Sequence, residues 1–170
     1  HYDTIVVGVG GMGSAAVAHL ASRGQSVLGL ERYDIPHEMG SSHGNSRIIR
    51  RAQAERPAYV PFIDRAYELW RDLDEESDDK LLHQTGSVHA SLLGQEAFEG
   101  ARESCEQFDI DHEVLDAAAL HERFPGYDLP AEYMAVYQPD GGFLVPESCI
   151  VAHVNRAHAN GADIRAREQV

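Results

Sequence analysis

Lysine is nearly missing from this 170-residue chain: Lys80 is the only one, and 14 basic residues face 28 acidic ones, for a formal net charge of −14. A chain so charged is repelled by nucleic acid and by anionic membrane surfaces, which argues against both as partners. Cysteine is equally scarce. Cys105 and Cys149 cannot build a disulfide framework, form no Cys-x-x-Cys pair and cannot supply a zinc site alone, so they read as buried or idle thiols of a cytoplasmic protein. Long apolar runs are also lacking. No stretch approaches the roughly 20 residues needed to cross a bilayer, and the first residues enter a strand-like segment instead of a basic then apolar leader. A secreted or membrane-spanning protein is not expected.

What is present is the balance of an ordinary folded domain, 43% hydrophobic and 25% charged, with room for one core and at most a small second lobe. The acids are concentrated in Asp72-Leu73-Asp74-Glu75-Glu76-Ser77-Asp78-Asp79. Such a surface stays soluble in strong salt, and high ionic strength would screen its self-repulsion, so a halophilic source is expected.

The β-branched run Thr4-Ile5-Val6-Val7 predicts a parallel strand buried on both faces, ended by a glycine-rich turn. A helix is predicted from Met12 to Arg23, its small residues suited to close packing on a sheet and Gly24 placed to cap it. A second strand follows over Ser26 to Leu30. The loop from Arg32 to Gly44 is too long for an ordinary connection and is a functional candidate. Helical spacing from Tyr59 to Leu73 predicts a long amphipathic helix whose aromatics face a core. Strands are predicted over 85–92 and 133–137 and helices over 95–107 and 117–123. A turn at Asp140-Gly141-Gly142 leads to a helix opened by Pro146 and ended by Gly161, then a strand over 163–170. The chain stops at the opening of this strand with its parallel sheet short of partners. It is therefore expected to be the N-terminal piece of a longer protein, with the remainder of its own chain as partner.

Chemistry concentrates near the start. Gly8-Val9-Gly10-Gly11-Met12-Gly13 fits G-x-G-x-x-G, with a strand entering Gly8, a helix leaving Gly13, and Glu31 at the end of the second strand. Gly8 permits the tight turn, Gly10 lets the backbone approach a pyrophosphate, and Gly13 lets helix and strand pack closely. The helix N-terminus offers free N–H groups and partial positive charge to phosphates. Glu31 can accept hydrogen bonds from ribose hydroxyls and would repel a 2′-phosphate, disfavouring NADP. The motif alone leaves FAD and NAD both open. Beside it, Arg47, Arg50 and Arg51 gather cationic charge in an acidic chain, which points either to an anionic ligand or to pairing with surface acids. The histidines offer less. His83 with His89 and His153 with His158 are close pairs, and neither completes a ligand set, so no metal is expected. Ser148 lacks a nucleophile-elbow context.

Taken together, Val6-Val7-Gly8-Val9-Gly10-Gly11-Met12-Gly13, Glu31, Pro36-His37, Gly40-Ser41-Ser42-His43-Gly44, Ser46-Arg47-Ile48-Ile49-Arg50, Tyr59-Val60-Pro61, Glu68-Leu69-Trp70, Thr85-Gly86 and Gly142-Phe143-Leu144-Val145-Pro146-Glu147 resemble the monomeric sarcosine oxidase and N-methyltryptophan oxidase family over nearly the whole chain. The resemblance implies FAD as cofactor and oxidation of an N-methyl amino acid, with molecular oxygen as acceptor and hydrogen peroxide as product. It implies that Gly8, Gly10, Gly13 and Glu31 bind the ADP half and that Ser41 and Ser42 lie along the cofactor near its phosphates. By the same resemblance, His43 and Arg47 sit beside the flavin ring, Arg50 takes the substrate carboxylate, and Val170 meets the adenine. In that family the cysteine that tethers the flavin, the lysine that promotes oxygen reaction and a second carboxylate-binding base lie past Val170, and neither Cys105, Cys149 nor Lys80 takes their place.

The expected fold class is α/β, a Rossmann-like FAD-binding βαβ unit with an inserted α+β substrate lobe, truncated. The expected division is 1–55 for the cofactor, 56–138 for part of the substrate lobe and 139–170 for an incomplete return to the cofactor domain. Alternatives are a related FAD-dependent oxidase or dehydrogenase of another amino or imino acid, a non-catalytic dinucleotide-binding fragment, and an NAD-dependent dehydrogenase.

Overall fold

Backbone preferences written in the sequence account for most of the chain path in the computed structural model, which describes residues 1–170. In order come β1 (Thr4–Val7), α1 (Gly11–Ser22), β2 (Val27–Leu30), β3 (Arg47–Ile49), a 3-10 turn (Pro57–Tyr59), α2 (Val60–Glu76), β4 (Leu82–His83) and β5 (Ser87–Leu92). They are followed by α3 (Glu96–Gln107), β6 (Glu113–Asp116), α4 (Ala117–Arg123), β7 (Tyr133–Gln138), β8 (Gly142–Leu144), α5 (Pro146–Ala159) and β9 (Asp163–Arg165). Punctuation falls where physical chemistry puts it. Gly24 and Gly161 turn the chain out of α1 and α5 at φ +82° and +83°, Pro146 opens α5, and the Asp116 side chain accepts from Ala119 N–H at 2.8 Å to cap α4. No helix is long and apolar enough to cross a membrane.

The chain divides into two units, passing between them after Arg47, Leu69, Leu82 and Phe143. The first comprises 1–47, 70–82 and 144–170. Its parallel sheet has the order β1-β2-β9, with Val6 opposite Gly29 and Gly29 opposite Ile164. α1 and α5 close over it: Val17, Ala18, Ala21, Val27, Ala157 and Ala162 form the core, with Val6, Leu20 and Ile164 against them. Small side chains let these layers approach closely; a Cβ at Gly29 would meet Val17, Val9 and Ile164.

β1 departs from the expectation of burial on both faces. Ile5 and Val7 are 57% and 66% exposed, because β1 is the edge of this sheet and α1 and α5 pack on the side toward Val6, leaving the alternate side chains uncovered.

The second unit, 48–69 and 83–143, is α+β. Its antiparallel sheet runs β5-β7-β6, with His89 opposite Val136 and Val114 opposite the same residue from the other side. Helix α3 packs on it and also lies so close to the segment after β3 that a Cβ at Gly100 would lie 2.1 Å from the Ala54 carbonyl oxygen. Ala52, Ala54, Val60, Phe98, Ala101, Cys105, Ile110 and Val136 form its core.

The aromatics predicted to face a core from 59 to 73 divide. Tyr67 is buried, but Phe62 is 74% exposed and Tyr59 is exposed too. Val60 and Tyr67, seven apart, share the buried stripe, whereas Phe62 stands about 200° around the helix from Val60. Two further differences concern strands. The stretch read as a turn at Asp140-Gly141-Gly142 runs directly into β8, where Gly142 is needed because a Cβ would lie 2.0 Å from the His83 carbonyl oxygen. The strand expected over 163–170 ends at Arg165, after which Arg167 takes φ +62°.

Candidate functional site

The glycine turn after β1 shapes a groove of about 590 Å³ lined by the 8–13 segment, Glu31, Tyr33, His37 and the loop residues Gly40, Ser41 and Ser42. Gly8 has φ +89°, the left-handed conformation that lets the chain leave the strand sharply, and both Gly8 and Gly10 face open space. Gly13 is different in kind: a Cβ there would lie 1.7 Å from the Gly8 carbonyl oxygen, so only glycine allows α1 to start against the turn. Gly10 caps α1 without a side-chain hydrogen bond, and no acid occupies the first turn. The leading N–H groups and the positive end of the helix dipole are left for an anion, as a pyrophosphate requires.

Glu31 stands at the far end of β2, 5% exposed. Its Oε2 accepts from Val9 N–H at 2.8 Å and its Oε1 from Tyr33 N–H at 3.0 Å. Burial alone would push its pKa up. The hydrogen bonds from Tyr33 and Val9, together with the nearby His37, outweigh burial and hold the carboxyl below the ordinary carboxylate range. His37 Nε2 lies 3.3 Å from Oε1. Since His37 Nδ1 accepts from Met39 N–H at 3.0 Å, the ring proton sits on Nε2 and points at the carboxylate. With Oε1 engaged by both Tyr33 and His37, the free acceptor position is on Oε2, suited to one ribose hydroxyl. An ionised, fixed carboxylate at the mouth of a phosphate-ready turn fits the adenosine half of a dinucleotide.

Next to the groove, and sharing Gly11, Met12, Ser42 and Ile150 with it, is a smaller pocket of about 200 Å³ completed by Arg47, Trp70, Leu144, Pro146, Cys149 and His153. It is apolar apart from Ser42 and the Arg47 and His153 heads. Arg47 donates from Nη2 to the Ser41 carbonyl at 2.7 Å, which ties the end of the loop to β3, and Glu147 at the start of α5 accepts from Gly44 N–H at 3.1 Å. His153 is buried against the Trp70 ring edge, 5.3 Å between centroids, and lies 6.1 Å from His19. Burial first, then His19 and Arg156, drop its pKa to about 4, so it is neutral at ordinary pH. Cys149 is buried there too, its thiol pushed up to about 12 chiefly by burial, and is unreactive as a nucleophile.

The expected site residues therefore separate. Gly8, Gly10, Gly13, Glu31, Ser41 and Ser42 line one groove, and Arg47 lines the pocket beside it. His43 is exposed and lines neither. Val170 is 81% exposed, two residues past Glu168, whose N–H donates to the Glu31 carbonyl at 2.8 Å. Arg50 belongs to the second unit. There its Nη2 lies 3.8 Å from Glu55 Oε1, and its Nε is buried without a hydrogen-bond partner. His89 is held neutral beside it: burial and then the Arg50 charge push its pKa down, with Glu55 opposing. Arg51 is committed elsewhere, with Nε 2.6 Å from Asp64 and Nη1 3.3 Å from Asp140. Of the arginines grouped by charge in the sequence, this one pairs with surface acids.

Sequence reasoning missed Tyr33, His37, Ile150 and His153 as lining residues. His37 carried a signal, a ring six residues beyond Glu31 in a long loop. Ile150 and His153 carried only the apolar stripe of α5, which does not say what it faces.

Residues 3–170 match the FAD dependent oxidoreductase family, DAO. The monomeric sarcosine oxidase of Streptomyces avermitilis is 40% identical over 167 residues, covering 98% of this chain and 44% of that protein. An N-methyl-L-tryptophan oxidase of Yersinia pestis is 32% identical over 163 residues, covering 96% and 44%. Among solved structures, the chain superposes on NikD, an unusual amino acid oxidase essential for nikkomycin biosynthesis, with a TM-score of 0.83 and 29% identity, covering 98% of this chain and 43% of NikD. The chain thus spans about 44% of the length of the curated relatives it matches. A glycine turn open to an anion, an ionised carboxylate on the same groove and a match along residues 3–170 converge on one conclusion: the chain belongs to the FAD dependent oxidoreductase family, and its cofactor is FAD.

Proposed function

We propose that the chain contributes the cofactor-binding unit and part of the substrate lobe of a cytoplasmic FAD-dependent oxidase of N-methyl amino acids of the sarcosine type. Likeness to monomeric sarcosine oxidase supports the substrate class. The observation that carries it is Arg50, a cation with a buried, unpartnered Nε and no acid closer than Glu55 at 3.8 Å, left able to receive a carboxylate. Unpaired, buried cysteines fit a reducing compartment.

In this reading the first unit holds FAD and the second receives the amino acid. Gly8, Gly10 and Gly13 let the backbone and the α1 N-terminus cradle the pyrophosphate, Glu31 takes a ribose hydroxyl, Ser41 and Ser42 follow the phosphates, and Val170 lies toward the adenine. His43 and Arg47 serve the flavin ring, where a cation favours negative charge. Arg50 orients the substrate by its carboxylate. When bound, FAD supplies the redox chemistry, taking a hydride equivalent from the N-methyl carbon and passing two electrons to oxygen, which with two protons becomes hydrogen peroxide.

Steady-state kinetics of the full-length holoenzyme test the reading. Arg50→Ala should raise KM for sarcosine by about tenfold to a hundredfold, the worth of a charge-assisted carboxylate contact, while bound flavin stays at the wild-type level. An unchanged KM would remove Arg50 from the substrate site. Activity confined to a cyclic imino acid or to another amino acid would overturn the substrate class.

A further inference from the structure

Arg50 has little holding its own side chain, with one long contact to Glu55 and a buried Nε without a partner. Its position must be set through the main chain. The residues that follow it are fixed by one atom: Gln138 Oε1 accepts from Arg51 N–H at 2.9 Å and from Ala52 N–H at 3.3 Å. Gln138 is 1% exposed, the last residue of β7, and in register with Ser87 of β5. Arg51 reinforces the anchor through its contacts to Asp64 and Asp140, and the Asp140 carbonyl accepts from Tyr67 O–H at 2.9 Å. The Gln53 amide closes the group by donating to the Arg50 carbonyl at 3.1 Å.

The other half of the Gln138 amide is unused. Its Nε2 is buried with no hydrogen-bond partner. A residue kept only to fill space would avoid an orphaned donor, which is costly to bury. The acceptor half, by contrast, satisfies two buried backbone donors next to a proposed carboxylate-binding cation.

Resting on the reading of Arg50 as the carboxylate ligand, we propose that Gln138 is a positioning residue for substrate binding, its Oε1 fixing the 51–52 main chain and thereby the place from which Arg50 reaches the carboxylate. Misplacement of a binding group by about 1 Å is enough for a large kinetic penalty.

The test compares Gln138→Met, Gln138→Asn and Gln138→Glu in the full-length holoenzyme, with Arg50→Lys alongside and sarcosine as substrate. Met removes the acceptor, Asn withdraws it by one methylene, and Glu keeps it while exchanging the unused donor for a second carboxylate oxygen, which adds a buried negative charge. Met and Asn should raise KM about tenfold with flavin content unchanged and kcat within about twofold, and Glu should return KM to within about threefold of wild type. Wild-type KM in a folded Met or Asn variant overturns the proposal. So does equal damage to KM, kcat and thermal stability in all three, the pattern of a purely structural residue. Should Met not fold, Asn carries the same decision. If Arg50→Lys leaves KM unaltered, the reading of Arg50 falls; if it raises KM and the Gln138 variants do not, the positioning role alone falls.

Discussion

Acid should weaken the first unit through one side chain. His153 is 5% exposed, packed on Trp70 of α2 and near His19 of α1, with Arg156 one turn further along its own helix. Burial, followed by the charges of His19 and Arg156, lowers its pKa from 6.5 to about 4. The folded state therefore refuses a proton that the unfolded chain accepts. Stability is complete above pH 6.5, is lost as pH falls from there toward 4, and declines no further from this source below it. At about 1.4 kcal/mol for each tenfold difference in proton affinity, the loss is about 2 kcal/mol by about pH 5 and about 3 kcal/mol when complete. Urea unfolding of wild type and His153→Leu at about pH 7.5 and about pH 5 isolates the effect, because carboxylates that titrate in the same range contribute to both proteins. Wild type should lose about 2 kcal/mol more than the variant between the two conditions. An equal loss in both would mean that His153 accepts its proton inside the fold, and the burial argument would fail.

Other perturbations separate the structural elements. Gly13→Ala should abolish saturable FAD binding in an absorbance titration and destabilise the first unit by more than about 3 kcal/mol, since the new methyl meets backbone at Gly8 that cannot rotate away; wild-type FAD affinity would contradict the close turn. Gly86→Ala should lower the melting temperature of the second unit, because φ +82° disfavours a side chain and the Tyr137 ring lies 2.7 Å from the added carbon. Melting temperature should rise from dilute to multimolar KCl if a net charge of −14 is adapted to strong salt; a flat profile would set aside a halophilic origin.

Legibility in the sequence followed the range of the physical constraint. β1, α1 and β2 were readable because β-branched runs, small residues at helical spacing and Gly24 act within a few positions, and the same local rules place α3, α4 and α5 near their observed limits. The close approach at Gly13 and the place of Glu31 on the groove were readable for a similar reason: turn, helix start and strand end lie within one βαβ unit. Gly142 was misread because its purpose is not a turn but the approach of the His83 carbonyl, some sixty residues away. The exposure of Ile5 and Val7 and the separate fates of Arg47, Arg50 and Arg51 depend likewise on which distant acids and helices arrive beside them. Charge alone grouped those arginines, and only three-dimensional neighbours distinguish the one bound to Asp64 and Asp140 from the one with an unpartnered Nε.

The interleaving of the two units bears on synthesis at the ribosome. All of the second unit lies between Ile48 and Phe143, whereas the first needs the stretch from Leu144 onward, and its central strand β2 gains its second neighbour only when Asp163 to Arg165 arrive opposite Leu28 to Leu30. Vectorial translation thus delivers residues 48–69 and 83–143 of the second unit while the first waits with an open strand edge and a large loop still to close. The nascent chain spends that interval with β2 able to pair with a strand of another chain, which makes the rate of elongation through α5 and β9 a determinant of soluble yield.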